Sequence, residues 1–242
     1  MQLAIDIGNT NIKMGLFENN KLVKLYADGQ SLIDILIENQ SITHAILSRS
    51  GKENREIEVL QQKGIPTFHM KNRLLLPMQL AYKTPDTLGA DRVAGSVEAS
   101  FMFPNFPVLK IDAGTCVTYD FINEKGQFIG GAISPGLRLR FKALHEYTAS
   151  LPLVTPTDQQ GFDLIGQDTT SAIASGVSNG ISAEIYGIIK QYEQRFSNLK
   201  VVATGGDWSK FATMQESEIF ARPNLVLEGL NRILNFNINS ER

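Results

Sequence analysis

The sequence has a single cysteine, a single tryptophan, no long apolar run and no excess of charge of one sign. A lone Cys116 excludes an internal disulfide framework and suits a reducing compartment, so a cytoplasmic setting is expected. No stretch approaches the roughly 20 apolar residues of a membrane-spanning helix. The first residues, Met-Gln-Leu-Ala-Ile-Asp, lack the basic-then-apolar layout of a secretory signal and are expected to be part of the fold. Lys and Arg number 23 against 25 Asp and Glu, a net charge of -2 with both signs interspersed, so neither nucleic acid nor a membrane surface is an expected partner. His44, His69 and His145 are scattered, without metal-ligand spacing, which argues against zinc. Neither G-x-x-x-x-G-K-[ST] nor G-x-G-x-x-G occurs, so a bound nucleotide must be held in another way. No linker rich in Pro, Gly or Ser divides the chain, and the two halves are expected to pack closely.

What is present is a chain of 242 residues, 43% hydrophobic, long enough for one large domain or two small ones. Apolar runs at 2–7, 12–17 and 21–26, separated by Gly or Asn-Asn turns, predict an antiparallel meander. Helices near 31–38 and 54–63 then alternate with strands at 43–48 and 65–69, which indicates α/β layering. A helix beginning close to Leu88 carries Val93, Val97 and Phe101 at spacing four, predicted to line one face. The meander returns at 107–112, 116–122 and 127–133, followed by helices near 136–147 and 169–196, a strand at 199–203 and a last helix near 224–237. Laying Asp6 on Asp112 puts Gly8 on Gly114, which suggests duplication, with lobes at 1–106 and 107–242.

In DIGNTNIK a strand delivers Asp6 into a turn where Gly8 permits unusual backbone angles and Asn9, Thr10 and Asn11 offer donors, a suitable cradle for phosphate. Asp6 is itself anionic, so its plausible task is to hold a hydrated Mg2+ that bridges phosphate oxygens, with Lys13 adding positive charge. The same residues also suit a hairpin turn that uses Gly and Asn for conformation alone. IDAGTCVTYD repeats the pattern: Asp112 ends a strand, Gly114 frees the turn, and Thr115 and Thr118 offer hydroxyls. Asp112 could equally cap backbone N–H groups, and Asp120 is expected to face solvent. Two such turns suggest opposing halves of one polyphosphate site. Thr204-Gly205-Gly206 follows a strand, and its glycines let the backbone approach a flat ligand such as adenine. Trp208 could flank that ligand or pack in the core. Cys116 is expected to be a buried strand residue and not a nucleophile. The basic segment Arg138, Arg140, Lys142 and His145 is expected to be a solvated helix face, with an anion-attracting rim as the other possibility.

Asp6-Ile7-Gly8-Asn9-Thr10, Asp112-Ala113-Gly114-Thr115 and Thr204-Gly205-Gly206, in this order, resemble the two phosphate motifs and the adenosine motif of the ASKHA superfamily of kinases and actin-like ATPases. More narrowly, DIGNTNIK, LGADR at 88–92, DAGTCVTYD and GGAISPG at 130–136, followed by Ala143-Leu144 and Leu151-Pro152, resemble the type III pantothenate kinases over nearly the whole chain. The resemblance implies two duplicated ribonuclease H-like α/β lobes, mixed sheets flanked by helices, with ATP in the cleft. It implies ATP contacts from Asp6, Gly8, Asn9, Thr10, Asn11, Lys13, Thr115, Gly205 and Gly206. It implies Asp91 as general base, pantothenate contacts from Tyr82, Gly89, Ala90, Asp91, Arg92 and Thr169, and a monovalent cation, K+ or NH4+, at Asp112 beside Mg2+. The text at Gly166-Gln167-Asp168-Thr169 departs from the family's G-K-N-T at Gln167 and Asp168, and Thr170 stands beside Thr169. A homodimer is also implied.

The residue types suit that chemistry. Phosphoryl transfer to an alcohol needs the nucleophile in line, charge neutralised and an acceptor for the hydroxyl proton. A helix N-terminus favours a negative side chain such as Asp91, and Arg92 offers a planar fork for a carboxylate. Without the resemblance, Asp91-Arg92 could be a surface pair at a helix start. The expected reaction is ATP-dependent phosphorylation of pantothenate to 4'-phosphopantothenate, the first step toward coenzyme A. The alternatives are a sugar or small-alcohol kinase of the same fold, or a non-catalytic regulatory relative.

Overall fold

A computed structural model describes residues 1–8, 11–26, 31–39, 41–49, 55–70, 74–155, 163–211 and 218–240. The chain divides into two units, Met1–Met102 with Asn224–Arg242, and Phe103–Pro223.

In the first unit β1 (Gln2–Ile7), β2 (Ile12–Glu18) and β3 (Lys21–Tyr26) form the antiparallel meander. Asn19 and Asn20, both with positive φ (49° and 64°), make the two-residue β2–β3 turn whose handedness matches the twist of paired strands. The chain then crosses through α1 (Leu32–Glu38) to β4 (His44–Arg49), parallel to β1, and through α2 (Arg55–Gln62) to β5 (Thr67–His69), parallel to β4. The strand order is β3-β2-β1-β4-β5. Alternation sorts the two faces of β1. Leu3, Ile5 and Ile7 join Leu16 and Leu47 in a core closed by Leu32, Ile35 and Leu36 of α1 and Leu60 of α2. On the other face the small pair Ala4 and Gly15 lies opposite in register, and a Cβ on Gly15 would stand 3.3 Å from Leu227.

Leu227 belongs to α6 (Leu225–Ser240), which packs on β1 and on α3 (Ala90–Met102). A Cβ on Gly229 would fall 1.9 Å from the Ala94 carbonyl, so glycine is what allows the two helices to touch. The helices are further tied by a fork: Arg232 donates from Nε to Glu98 Oε2 at 2.7 Å and from Nη2 to Oε1 at 3.1 Å. Two expectations change here. Residues 92–99 are buried on every side of α3, whereas Phe101, predicted to line one face with Val93 and Val97, is 46% exposed and carries the Arg232 guanidinium over its ring. The lobe boundary at 106/107 assigned the last helix to the second half, but α6 buries its leucines against the first. A short β6 (Gln79–Leu80) precedes α3.

The second unit repeats the plan. β7 (Val108–Ala113), β8 (Cys116–Ile122) and β9 (Gln127–Pro135) form a meander, β10 (Lys200–Thr204) runs parallel to β7, and β11 (Ile219–Ala221) runs parallel to β10. These five strands are ordered β11-β10-β7-β8-β9, the mirror listing of the first sheet, so the duplication suggested by Asp6 and Asp112 holds at the level of topology. α4 (Leu137–Glu146) and α5 (Thr169–Arg195) cover Leu109, Ile111, Val117 and Tyr119, with Leu137, Phe141, Ile181 and Ile185 supplying the helical side of the core.

Candidate active site

The first turn joins β1 to β2. Asp6 stands opposite Lys13 in the antiparallel register, so both side chains share one face, and opposite buried Ser48 on β4. The Gly8 N–H donates to the Asn11 carbonyl at 3.1 Å. Gly8 is not in the left-handed region, contrary to expectation; its constraint is closeness, since a Cβ there would sit 3.3 Å from the Asn11 oxygen. Asn9 and Thr10 lie outside the described residues.

The second turn is the counterpart at the end of β7, one residue shorter in register: Asp112 faces Thr118 where Asp6 faces Lys13. Its Gly114 N–H donates to the Cys116 carbonyl at 3.0 Å. Gly114 is also outside the left-handed region, with its nearest would-be Cβ contacts at 3.9 Å, so the turn does not depend on unusual angles there either. Two other segments of the same unit lean on this turn. β10 places Thr204 beside Asp112, and Gly205, at φ 98°, rests its Cα on Ala113, where a Cβ would lie 2.3 Å from the carbonyl oxygen. The Asp207 N–H then donates to that carbonyl at 3.0 Å. Gly206 has open space around it. On the other side the Gly136 N–H donates to the Thr115 carbonyl at 3.1 Å, and a Cβ on Gly136 would lie 2.2 Å from the Gly114 oxygen. Residues 112–115, 134–136 and 204–207 therefore converge, and the role of Pro135-Gly136 is one that the motif GGAISPG contained without declaring it. Trp208 is buried with Phe211 in the core, which resolves its two readings. Cys116 is half-buried.

In α3 the Asp91 carboxylate folds back over the helix start. Its Oδ1 accepts from the Arg92 N–H at 2.9 Å, and a Cβ on Gly89 would fall 2.5 Å from that same oxygen. Glycine at 89 thus leaves room for the carboxylate. Arg92 is only 7% exposed and Tyr82 is half-buried. At the start of α5 the departure Asp168 has a structural use: it is the N-cap, accepting from the Ser171 N–H at 2.9 Å, while Ser171 Oγ accepts from the Asp168 and Gln167 backbone N–H groups. The hydrogen bond from the Ser171 N–H, followed by that from its hydroxyl, holds the Asp168 carboxyl below its ordinary range. Thr169 and Thr170 both lie exposed in the first turn.

Two charged groups differ from the sequence reading. Asp120 does not face solvent: it pairs with Lys110 directly across β7 and β8 at 2.8 Å, both fully buried. The expected exposure fails because β8 is a central strand covered on both faces, where a polar side chain is buried with a partner. Arg140 is not on a solvated face; it pairs with Glu184 of α5, whose Oε1 accepts from the Tyr119 hydroxyl at 3.0 Å. Burial, then the charge of Glu184, pushes the Tyr119 phenol far up. For Glu184 burial pushes upward, but hydrogen bonds from Arg140, Ser134 and Tyr119 outweigh it and hold the carboxyl below its ordinary value.

The model of the family described as type III pantothenate kinase matches residues 2–191. A type III pantothenate kinase of Christiangramia forsetii is 42% identical over 242 residues, covering 98% of this chain and 99% of its own. One from Bacteroides fragilis strain YCH46 is 42% identical over 241 residues, covering 98% of each. Among solved structures, a conserved protein of Campylobacter jejuni assigned to the Baf family of transcriptional activators superposes with a TM-score of 0.62 at 24% identity, covering 98% of this chain and 99% of that one. A ROK family glucokinase of Streptomyces griseus superposes at 0.51 with 10% identity, covering 98% and 99%. These two likenesses establish the shared mixed α/β fold alone. Joined to the repeated sheets and the motifs placed on them, identities of 42% along nearly the full length make this chain a member of the type III pantothenate kinase family.

Proposed function

We propose that the chain transfers the γ-phosphoryl group of ATP to the primary hydroxyl of pantothenate, giving ADP and 4'-phosphopantothenate, the first step toward coenzyme A. The observation that carries the reading is the Asp91 carboxylate at the first turn of α3, within the residues matched to the family and turned over a glycine that leaves it room. As the pantothenate hydroxyl attacks, its O–H proton passes to Asp91, a new O–P bond forms and the bond between the γ-phosphorus and the bridging oxygen of ADP breaks. Asp6, Gly8, Asn9, Thr10, Asn11 and Lys13 contact the ATP phosphates, as does Thr115, and Gly205 and Gly206 lie against the adenosine. Tyr82, Gly89, Ala90, Arg92 and Thr169 hold pantothenate.

Among the described residues no three His, Cys, Asp or Glu side chains cluster as a metal cage, which suits a hydrated divalent ion resting on one carboxylate and on substrate phosphates. Asp6 is the residue for Mg2+, through water, and Asp112 for a K+ or NH4+ ion. Bound there, these cations neutralise the charge of the phosphate oxygens. A homodimer in the cytoplasm completes the proposal; no helix among the described residues is long and apolar enough to cross a membrane.

The test is turnover of purified protein with ATP, Mg2+ and pantothenate in K+ or Na+ buffer. Product is expected with pantothenate and not with hexoses, more in K+ than in Na+. Asp91→Asn should lower kcat by about 10²–10⁴-fold, the usual contribution of a positioned base. Phosphorylation of hexoses in place of pantothenate would transfer the case to a sugar kinase.

A further inference from the structure

In the basic segment that follows Gly136, one member turns inward. Arg140 donates from Nε to the Pro135 carbonyl at 2.8 Å and from Nη2 to Ser134 Oγ at 2.9 Å, and its guanidinium also meets the Glu184 carboxylate. Pro135 is the last residue of β9 and lies opposite Cys116 in register; Ser134 lies opposite Val117. The next residue, Gly136, donates its N–H to the Thr115 carbonyl and lays its Cα against the Gly114 and Thr115 oxygens. The guanidinium therefore grips the two residues that deliver Gly136 onto the second phosphate turn. Its own position is fixed from behind by Glu184, which Tyr119 holds by a hydrogen bond from inside the core.

We propose that Arg140 is a positioning residue for the nucleotide, clamping the Ser134–Pro135–Gly136 end of β9 so that the Thr115 turn keeps its place. The inference rests on the reading that Thr115 contacts ATP. A planar fork is needed because one head must serve a backbone carbonyl, a hydroxyl and a carboxylate at once; an ammonium is a point charge on a flexible stem and does not reproduce that set. Without the fork, the Pro135 carbonyl and the Ser134 hydroxyl lose their tie to the guanidinium, leaving the strand ladder, the Gly136–Thr115 hydrogen bond and the start of α4 to hold this end of the hairpin, and small displacements of a phosphate contact are felt in binding. The clamp acts on the nucleotide side, so the pantothenate constants should not move with it.

The experiment compares Arg140→Lys, Arg140→Met and Glu184→Gln with wild type. Arg138→Ala, an exposed neighbour on α4, is the control for the general field of the basic segment, and Thr115→Ala is the control for the underlying reading. Steady-state constants are measured for both substrates, ADP affinity by calorimetry, and Tm by thermal unfolding. Both Arg140 variants should raise KM for ATP and weaken ADP binding about tenfold, the loss of roughly one charged hydrogen bond, with KM for pantothenate unchanged. Glu184→Gln should give a smaller shift of the same kind, and Arg138→Ala none. A fall in Tm with ATP and ADP constants intact overturns the proposal and leaves Arg140 a structural brace. Equal losses for both substrates, or the same loss in Arg138→Ala, overturn it as well. If Thr115→Ala weakens ATP but the Arg140 variants do not, the positioning role alone fails. If Thr115→Ala leaves ATP binding unchanged, the assignment of Thr115 fails and takes the inference with it.

Discussion

Removing one partner of the Lys110–Asp120 pair should destabilise the second unit severely. Both side chains are fully buried, 2.8 Å apart, on directly opposed residues of two central strands. Taking two charges out of water consumes much of what their attraction returns, so the pair as a whole adds little net stability. Deleting one charge is different, because the other stays in the interior and loses the opposite charge 2.8 Å away. Asp120→Ala should cost about 3–5 kcal/mol, the range for breaking a buried pair. In a chain of this length that is a fall in Tm of roughly 6–20 °C. Lys110→Met should cost a similar amount by stranding the carboxylate. The double variant Lys110→Met with Asp120→Val places two apolar side chains of strand-compatible shape in the same space, and should return to wild-type stability or exceed it by about 1–4 kcal/mol. The assay is urea and thermal unfolding of the four proteins, from which the coupling energy of the cycle follows. Single variants within about 0.5 kcal/mol of wild type, or a double variant equal to the sum of two large losses, would refute the claim that desolvated charge governs this position.

Gly89→Ala should lower kcat far more than stability, because its Cβ would stand 2.5 Å from Asp91 Oδ1 and displace the carboxylate; kinetics and Tm of the same variant check this. Gly205→Ala should lose at least about 1 kcal/mol for its positive φ, and more for the 2.3 Å approach to Ala113, whereas Gly206→Ala, with open space, should leave Tm unchanged; thermal unfolding separates them. Glu184 carries an acid-side dependence. Its folded pKa lies below the ordinary 4.5, so its stabilisation is complete above that value and is lost as the pH falls through the folded pKa. Glu184→Gln should flatten Tm against pH below about pH 4.5 relative to wild type. Thr169→Ala should raise KM for pantothenate and Thr170→Ala should not, which steady-state kinetics would decide.

Most of the fold was legible because its signals are local. The Asn19-Asn20 turn, the alternating runs and the apolar crossovers gave strand and helix bounds within a few residues of those observed. The three-residue β11 and two-residue β6 were missed, since so few residues carry no period. Where α6 packs was not legible either: its leucines declare a buried face, but not which sheet receives it. The motifs fixed the places of Asp6, Asp112, Asp91 and Gly205, because each sits at a strand end or helix start that the sequence marks. What escaped were relations across elements. Gly136 resting on the Thr115 turn joins residues more than twenty apart, and nothing in KID or TYD announces that Lys110 and Asp120 will face each other in the interior. Gly8 illustrates a subtler miss: glycine is expected at the turn for its freedom of angle, whereas what the structure shows there is a close approach, 3.3 Å between a Cβ at that position and the Asn11 oxygen.

The return of α6 to the first unit has a consequence for how the molecule is made. Residues 103–223 interrupt a body whose covering helix follows them in the chain, so the first unit cannot close over Ala4 and Gly15 until residues beyond 223 have been made. A stop codon after Pro223 would spare every motif of the second unit, yet it would leave the body that holds Asp6 and Asp91 with an open hydrophobic flank.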